Sequence, residues 1–185
     1  MVRTAVSHPD FSGEPLGDLK QFLSITVERD DALLERLLQS AHALYESFTG
    51  RIALASVFDE TIAPSGAWQT LNTNPVILIS QAELIDPDGV LEALSGSDYD
   101  VRIDADGMAQ VRMVKSTPSD ARLIVRVAAQ SASSWATLPP DIRHGLVRLA
   151  AHAYRERDNG SDGGAIGTPP SSVAALWRPH RRMRL

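Results

Sequence analysis

Two short segments carry the residue types of a cation site. Asp86-Pro87-Asp88-Gly89 and Asp104-Ala105-Asp106-Gly107 each alternate carboxylates ahead of a glycine, as the opening of a calcium loop does. Such a loop closes its coordination with a bidentate glutamate at the twelfth position, but counting from Asp86 reaches Ser97 and from Asp104 reaches Lys115. Hairpin turns are the reading that remains, since aspartate and glycine are turn formers in their own right. Asp158 to Gly163 has the same flavour, yet Gly160 occupies a ligand position and Pro169 the twelfth, so it reads as a solvated loop.

Other chemistries fare no better. The glycine-rich run from Gly160 to Gly167 has no Lys-Ser or Lys-Thr after it and no apolar strand before it, so it does not read as a phosphate cradle. Of His8, His42, His144, His152 and His180, none forms a His-Glu-x-x-His pair, and His144 and His152 stand two turns apart, too far to share a metal without further ligands. No serine sits in a Gly-x-Ser-x-Gly elbow. With no cysteine, disulfides, thiolate metal sites and thiol catalysis are excluded. Accordingly, no catalytic, cofactor-binding or metal residue is assigned.

The most informative segment is the last ten residues, Leu176-Trp177-Arg178-Pro179-His180-Arg181-Arg182-Met183-Arg184-Leu185. Four of the 18 basic side chains fall in its final eight positions, where there is no acid, leaving 14 basic against 23 acidic residues, or −9, for the rest of the chain. In an arbitrary protein such a terminus is a frayed tail. Here Trp177, Met183 and Leu185 interleave apolar anchors with arginines, the residue types enriched at the energetic centre of interfaces, which points to a docking arm. DNA phosphate contact is the rival, because arginine suits both. The formal charge of −5 and pI near 5.5 argue against a dedicated DNA-coating protein.

These residues have to be positioned by a mixed fold. Leu33, Leu34, Leu37, Leu38, Ala41, Leu44, Tyr45 and Phe48 recur at helical spacing and predict an amphipathic helix from Asp30 to Phe48, stopped by Gly50. A shorter helix, Leu19 to Leu23, is expected before it with Asp18 as cap, and Thr26 is the expected cap of the longer one. From Arg51 to about Gln130 the period changes to two. Val76 to Ile79 and Leu123 to Val127 read as strands, and Tyr99, Val101 and Ile103 pair across the Asp104–Gly107 turn with Ala109, Val111 and Met113. Leu138-Pro139-Pro140-Asp141 opens a second long helix with apolar Ile142, Leu146, Leu149, Ala150, Ala153 and Tyr154, ended by Asn159-Gly160. Ser161 to Gly167 reads as a flexible loop, and Thr168 to Ser172 as another helix start. The fold class expected is α+β: a helical bundle formed by the N- and C-terminal helices, with a β-rich insertion in the middle and an extended C-terminal arm. The boundaries expected are a flexible N-terminus at 1–15, the bundle at 16–50 and 138–180, the β-rich domain at 51–130 and the arm at 181–185.

In order and spacing these features resemble the head-tail connector (adaptor) family of tailed bacteriophages and gene transfer agents. The resemblance runs from about Leu16 to Leu185. It rests on Glu46-Ser47-Phe48-Thr49-Gly50-Arg51 closing the first long helix, the β insertion, Leu138 to Arg143 opening the helix that carries Ala151 to Arg157, and the segment from Leu176 to Leu185. It implies a non-enzymatic ring subunit, commonly one of twelve, beneath the portal in the neck of the particle and assembled in the bacterial cytoplasm. It also implies a portal-docking role for Trp177, Arg178, Arg181, Arg182, Arg184 and Leu185. His180 stands where the family commonly has tyrosine. The partners implied are the portal, a stopper or other neck or tail protein, further copies of the chain, and double-stranded DNA that passes without specific binding. No cofactor is implied.

No run approaches the ~20 apolar residues of a membrane helix, and Met1 to Pro15 lacks the basic start and apolar run of a signal peptide, so neither membrane nor export is expected. Two other readings stay open. One is a neck stopper or tail-completion protein; the other is a small β-domain enzyme or ligand-binding module, which a deep pocket with converging polar groups would reveal.

Overall fold

The computed structural model describes residues 2–118, 120–158 and 168–182. The chain is a mixed α+β protein that divides into two compact units: Met1–His8 with Ala55–Gln130, and Pro9–Leu54 with Ser131–Leu185.

The first unit is antiparallel β. Its larger sheet runs in the order β1 (Val2–Ser7), β2 (Ser56–Ile62), β8 (Arg122–Ala129), β4 (Val76–Ile85), β5 (Leu91–Ala93). A smaller sheet is ordered β3 (Gln69–Thr70), β7 (Ala109–Met113), β6 (Tyr99–Ile103). Strict alternation along β2 and β8 buries Phe58 and Ile62, and Leu123, Val125 and Val127. Burial of these side chains is the main term holding the sheet together. Two inward positions of β2 are polar, Ser56 and Glu60. Glu60 is wholly buried, and its two carboxyl oxygens accept from the backbone N–H groups of Asn72 (2.9 Å) and Thr73 (2.6 Å), so the buried polar group is satisfied by the loop it organises.

Both acidic turns are hairpin turns. Asp104 Oδ1 accepts from the N–H groups of Asp106 (3.0 Å) and Met108 (2.8 Å), and Asp86 Oδ1 from that of Val90 (2.8 Å). Gly107 is required twice over: its φ is +76°, and a Cβ there would fall 2.3 Å from Cβ of Pro75.

Residues 2–7, expected as part of a flexible terminus, instead form β1, paired antiparallel with β2 from Val2↔Thr61 onward. All six residues are exposed, so the strand is held by its backbone ladder, helped by the Arg3 guanidinium 4.3 Å above the Phe58 ring. Ladder pairing leaves no hydrophobic periodicity to read.

The second unit is helical: α1 (Glu14–Leu23), α2 (Asp31–Thr49), α3 (Pro140–Asp158) and α4 (Ser171–Trp177). All four contribute to one apolar core, among them Leu16 and Leu19, Leu34, Leu38 and Tyr45, Ile142 and Leu146, and Val173 and Trp177. Helix α1 starts earlier than expected because Pro15 falls in its first turn, where a missing N–H costs nothing. Asp18 is therefore not a cap; it sits inside the helix and accepts from the indole Nε1 of Trp135 at 2.8 Å. Thr26 is not a cap either, since α2 begins beyond Asp30, whose carboxylate accepts from the Tyr154 hydroxyl at 2.6 Å. Gly50 ends α2 in the left-handed conformation, φ +73°. The expected helix end at Asn159-Gly160 and the loop from Ser161 to Gly167 lie outside the described residues.

Charge divides unevenly between the units. The β unit holds 11 acidic and 6 basic residues, and the helical unit 12 of each, so the whole surplus of −5 belongs to the β unit. The tail's arginines balance acids of their own unit.

Burial pushes the Tyr45 phenol up to about 12, because its anion would lose solvation in the core. The raised value means that the folded state resists ionisation while an unfolded tyrosine ionises near 10.0. The stability this contributes is intact below pH 10 and is lost as pH rises toward 12. Between those values the denaturant midpoint of Tyr45→Phe is expected to fall less steeply with pH than that of the parent chain. Equal slopes in circular-dichroism titrations would overturn this.

Candidate docking segment at the C-terminus

The chain from Trp177 to Arg182 is strapped onto the ends of α2 and α3, and each fastening has a local cause. Trp177, at the end of α4, has no exposed surface. Its ring stands edge-on to Tyr45, with centroids 5.2 Å apart and an interplanar angle of 89°, and tilted against Phe48 at 6.3 Å. The indole Nε1 points at the Ile142 carbonyl, 3.5 Å away. Room for the ring comes from Gly145, where a Cβ would lie 2.1 Å from that Nε1. Glycine in mid-helix costs about 1 kcal/mol relative to alanine, and the indole explains why it is there.

A 3-10 turn, Arg178–His180, follows. It delivers His180 Nε2 to 2.6 Å from Oδ2 of Asp141, in the first turn of α3. Partial burial alone would raise the Asp141 carboxyl. The hydrogen bond and charge of His180, with the N–H of Ile142 on Oδ1 at 2.9 Å, outweigh that and hold it below its ordinary value. The Arg181 guanidinium lies 5.2 Å from the Phe48 ring centre. The Arg182 N–H donates to the Thr49 carbonyl at 2.8 Å, satisfying an orphan acceptor at the negative end of the α2 dipole.

The six residues expected to dock therefore part company. Trp177 faces inward: it has no exposed surface and packs in the apolar core of the helical unit, so within the chain it acts as an anchor. Arg178 and Arg181 are exposed and Arg182 is half-buried, and among the described residues no carboxylate pairs with any of them. Arg184 and Leu185 lie outside the described residues. Sequence reasoning missed Gly145, Asp141 with His180, and the Thr49 carbonyl. Of these only Gly145 left a signal, as an isolated glycine within a helical pattern.

An open cleft of about 350 Å³ in the helical unit is lined by Glu14, Gly17, Asp18, Trp135, Ala136 and Arg143. Of its polar groups, Asp18 is already held by the Trp135 indole. His144 is exposed and meets the Phe22 ring edge-on at 6.2 Å, while His152 lies 3.3 Å from Glu156 on the same helix.

No family model and no curated protein matches the chain. Solved structures do match in fold. A chain from the neck of an empty GTA particle computed with C6 symmetry aligns with a TM-score of 0.79 at 23% identity. A chain from the virion of a native gene transfer agent (GTA) particle gives 0.76 at 23%, and one from the neck of a native GTA particle computed with C12 symmetry gives 0.77 at 24%. Each alignment covers 100% of this chain and 97% of the other. At these identities the likeness is one of fold, and it extends over both units.

Proposed function

We propose that this chain is a head-to-tail adaptor: a non-enzymatic ring subunit in the neck of a tailed phage or gene transfer agent particle, seated beneath the portal. The observation that carries the reading is the C-terminal segment. It is clamped at Trp177, His180 and Arg182, yet offers Arg178, Arg181 and Arg182 with no carboxylate partner among the described residues. Ordering a docking segment in advance lowers the entropy lost on binding, and unpaired arginines on such a segment suit an acidic partner surface. The end-to-end fold likeness to chains of GTA particle necks supports the same reading.

In this reading the helical unit forms a bundle, copies join side by side into a ring expected to have twelve members, and DNA passes through without specific binding. No bond is made or broken. The particle is assembled in the bacterial cytoplasm, and a stopper or another neck or tail protein binds further along. Purified full-length chain mixed with its cognate portal is expected to join it as a stoichiometric ring, measured as mass by light scattering. A chain that binds the tail-side neck protein but not the portal is a stopper; one that binds neither overturns the reading.

A further inference from the structure

The smaller sheet of the β unit carries a built surface that the docking segment does not use. Trp68, just before β3, lies under two guanidinium groups: Arg102 of β6 at 3.9 Å from its ring centre and Arg112 of β7 at 4.7 Å. The register pairs Asp100 with Arg112 and Arg102 with Gln110, so alternation puts these residues on one face. Arg112 is neutralised by Asp100, to whose Oδ2 its Nε and Nη2 both donate, at 2.8 and 2.7 Å. Arg102 has no carboxylate among the described residues. Stacked on an indole, its guanidinium is held in place with its N–H rim free to receive a carboxylate. One uncompensated cation is too little for a nucleic-acid backbone, whose binding neutralises several phosphates. A protein carboxylate beside an apolar side chain fits.

The complement lies on the same unit. In the β4–β5 turn Asp86 is occupied by the Val90 N–H, while Asp88 is exposed and without a partner among the described residues. Val90 and Leu91, directly after it, are 62% and 58% exposed. The turn is thus an acidic tip with an aliphatic flank, matching a cationic rim over an indole. Because tip and platform are different patches of one unit, their meeting between copies is heterologous and repeats head to tail until the ring closes. It would also offset the repulsion between neighbouring β units that each carry −5.

We infer that the Asp88 turn of one copy seats on the Trp68–Arg102 platform of the next, making the β unit a ring-forming surface. This rests on the ring reading above. The test uses full-length Arg102→Glu, Asp88→Arg and the double variant, with mass followed by light scattering over a concentration series and thermal melts confirming the fold. Each single reversal is expected to weaken assembly by about tenfold or more, and the double to restore it, as for a close interfacial charge pair. A ring that survives both single reversals, or a double variant as defective as the singles, overturns this contact and leaves the ring reading standing. A parent chain that stays monomeric alone and with its portal overturns both.

Discussion

Replacing Arg178, Arg181 and Arg182 together by glutamate is expected to abolish capture of the chain by its portal, lowering affinity by more than about a hundredfold while the chain still folds. The asymmetry follows from their partners. Close charge pairs across an interface couple by about 1.5–7 kcal/mol each, and reversal replaces attraction with repulsion, so three changes exceed 3 kcal/mol on any estimate in that range. Within the chain the same side chains meet no carboxylate among the described residues, and the ring contact of Arg181 with Phe48 contributes only about 0.5–1 kcal/mol at an exposed site, so the fold should survive their replacement. The fastening that positions Arg182 uses its backbone N–H, which substitution leaves in place. Affinity should be measured at two salt concentrations beside a thermal melt. An unchanged melt with unchanged portal binding would remove these arginines from the docking surface.

The second large effect is on stability, at the fastening itself. Trp177→Ala is expected to cost about 3–5 kcal/mol, the range for deleting a fully buried tryptophan, because it empties the space between Tyr45, Phe48 and Gly145. Gly145→Ala discriminates more sharply. Alanine is the better helix former by about 1 kcal/mol, so on propensity alone the change should stabilise α3. The new Cβ would lie 2.1 Å from Nε1 and 2.7 Å from Cε2 of the indole, so the ring must move and the change should destabilise the chain. In a chain already carrying Trp177→Ala the clash is gone, and Gly145→Ala should become neutral or stabilising. That reversal of sign is a coupling that urea unfolding can read through shifts in the midpoint. Gly145→Ala behaving alike in both backgrounds would show that the packing of Trp177 on α3 is not as described. Trp177→Ala should weaken portal capture too, by loosening the segment that displays the arginines.

Much of this architecture was legible in the chain itself. Helical spacing from Leu33 to Phe48, the glycine stop at Gly50, the proline start before Asp141 and the hairpin around Asp104 each depend on interactions within a few residues, and each lies where its pattern implied. The N-terminal strand was not legible, because what holds it is a ladder running from Val2↔Thr61 to Ser7↔Val57, far along the chain. Glu60 was hidden for a related reason: a carboxylate at an apolar position makes sense only once the N–H groups of Asn72 and Thr73 are seen to close on it.

The docking segment divides along the same line. Its composition, arginines interleaved with apolar residues at the end of the chain, was determined by the sequence alone, as was the absence of any cysteine chemistry. Which residues face outward was decided by the tertiary structure. A tryptophan beside arginines reads equally as a contact or an anchor, and burial chooses between them: the space vacated by Gly145 on α3 and walled by Tyr45 and Phe48 on α2 is filled by Trp177, leaving Arg178 and Arg181 to the surface. Side-chain volume and pairing across distant helices made that choice, and one-dimensional spacing does not encode either.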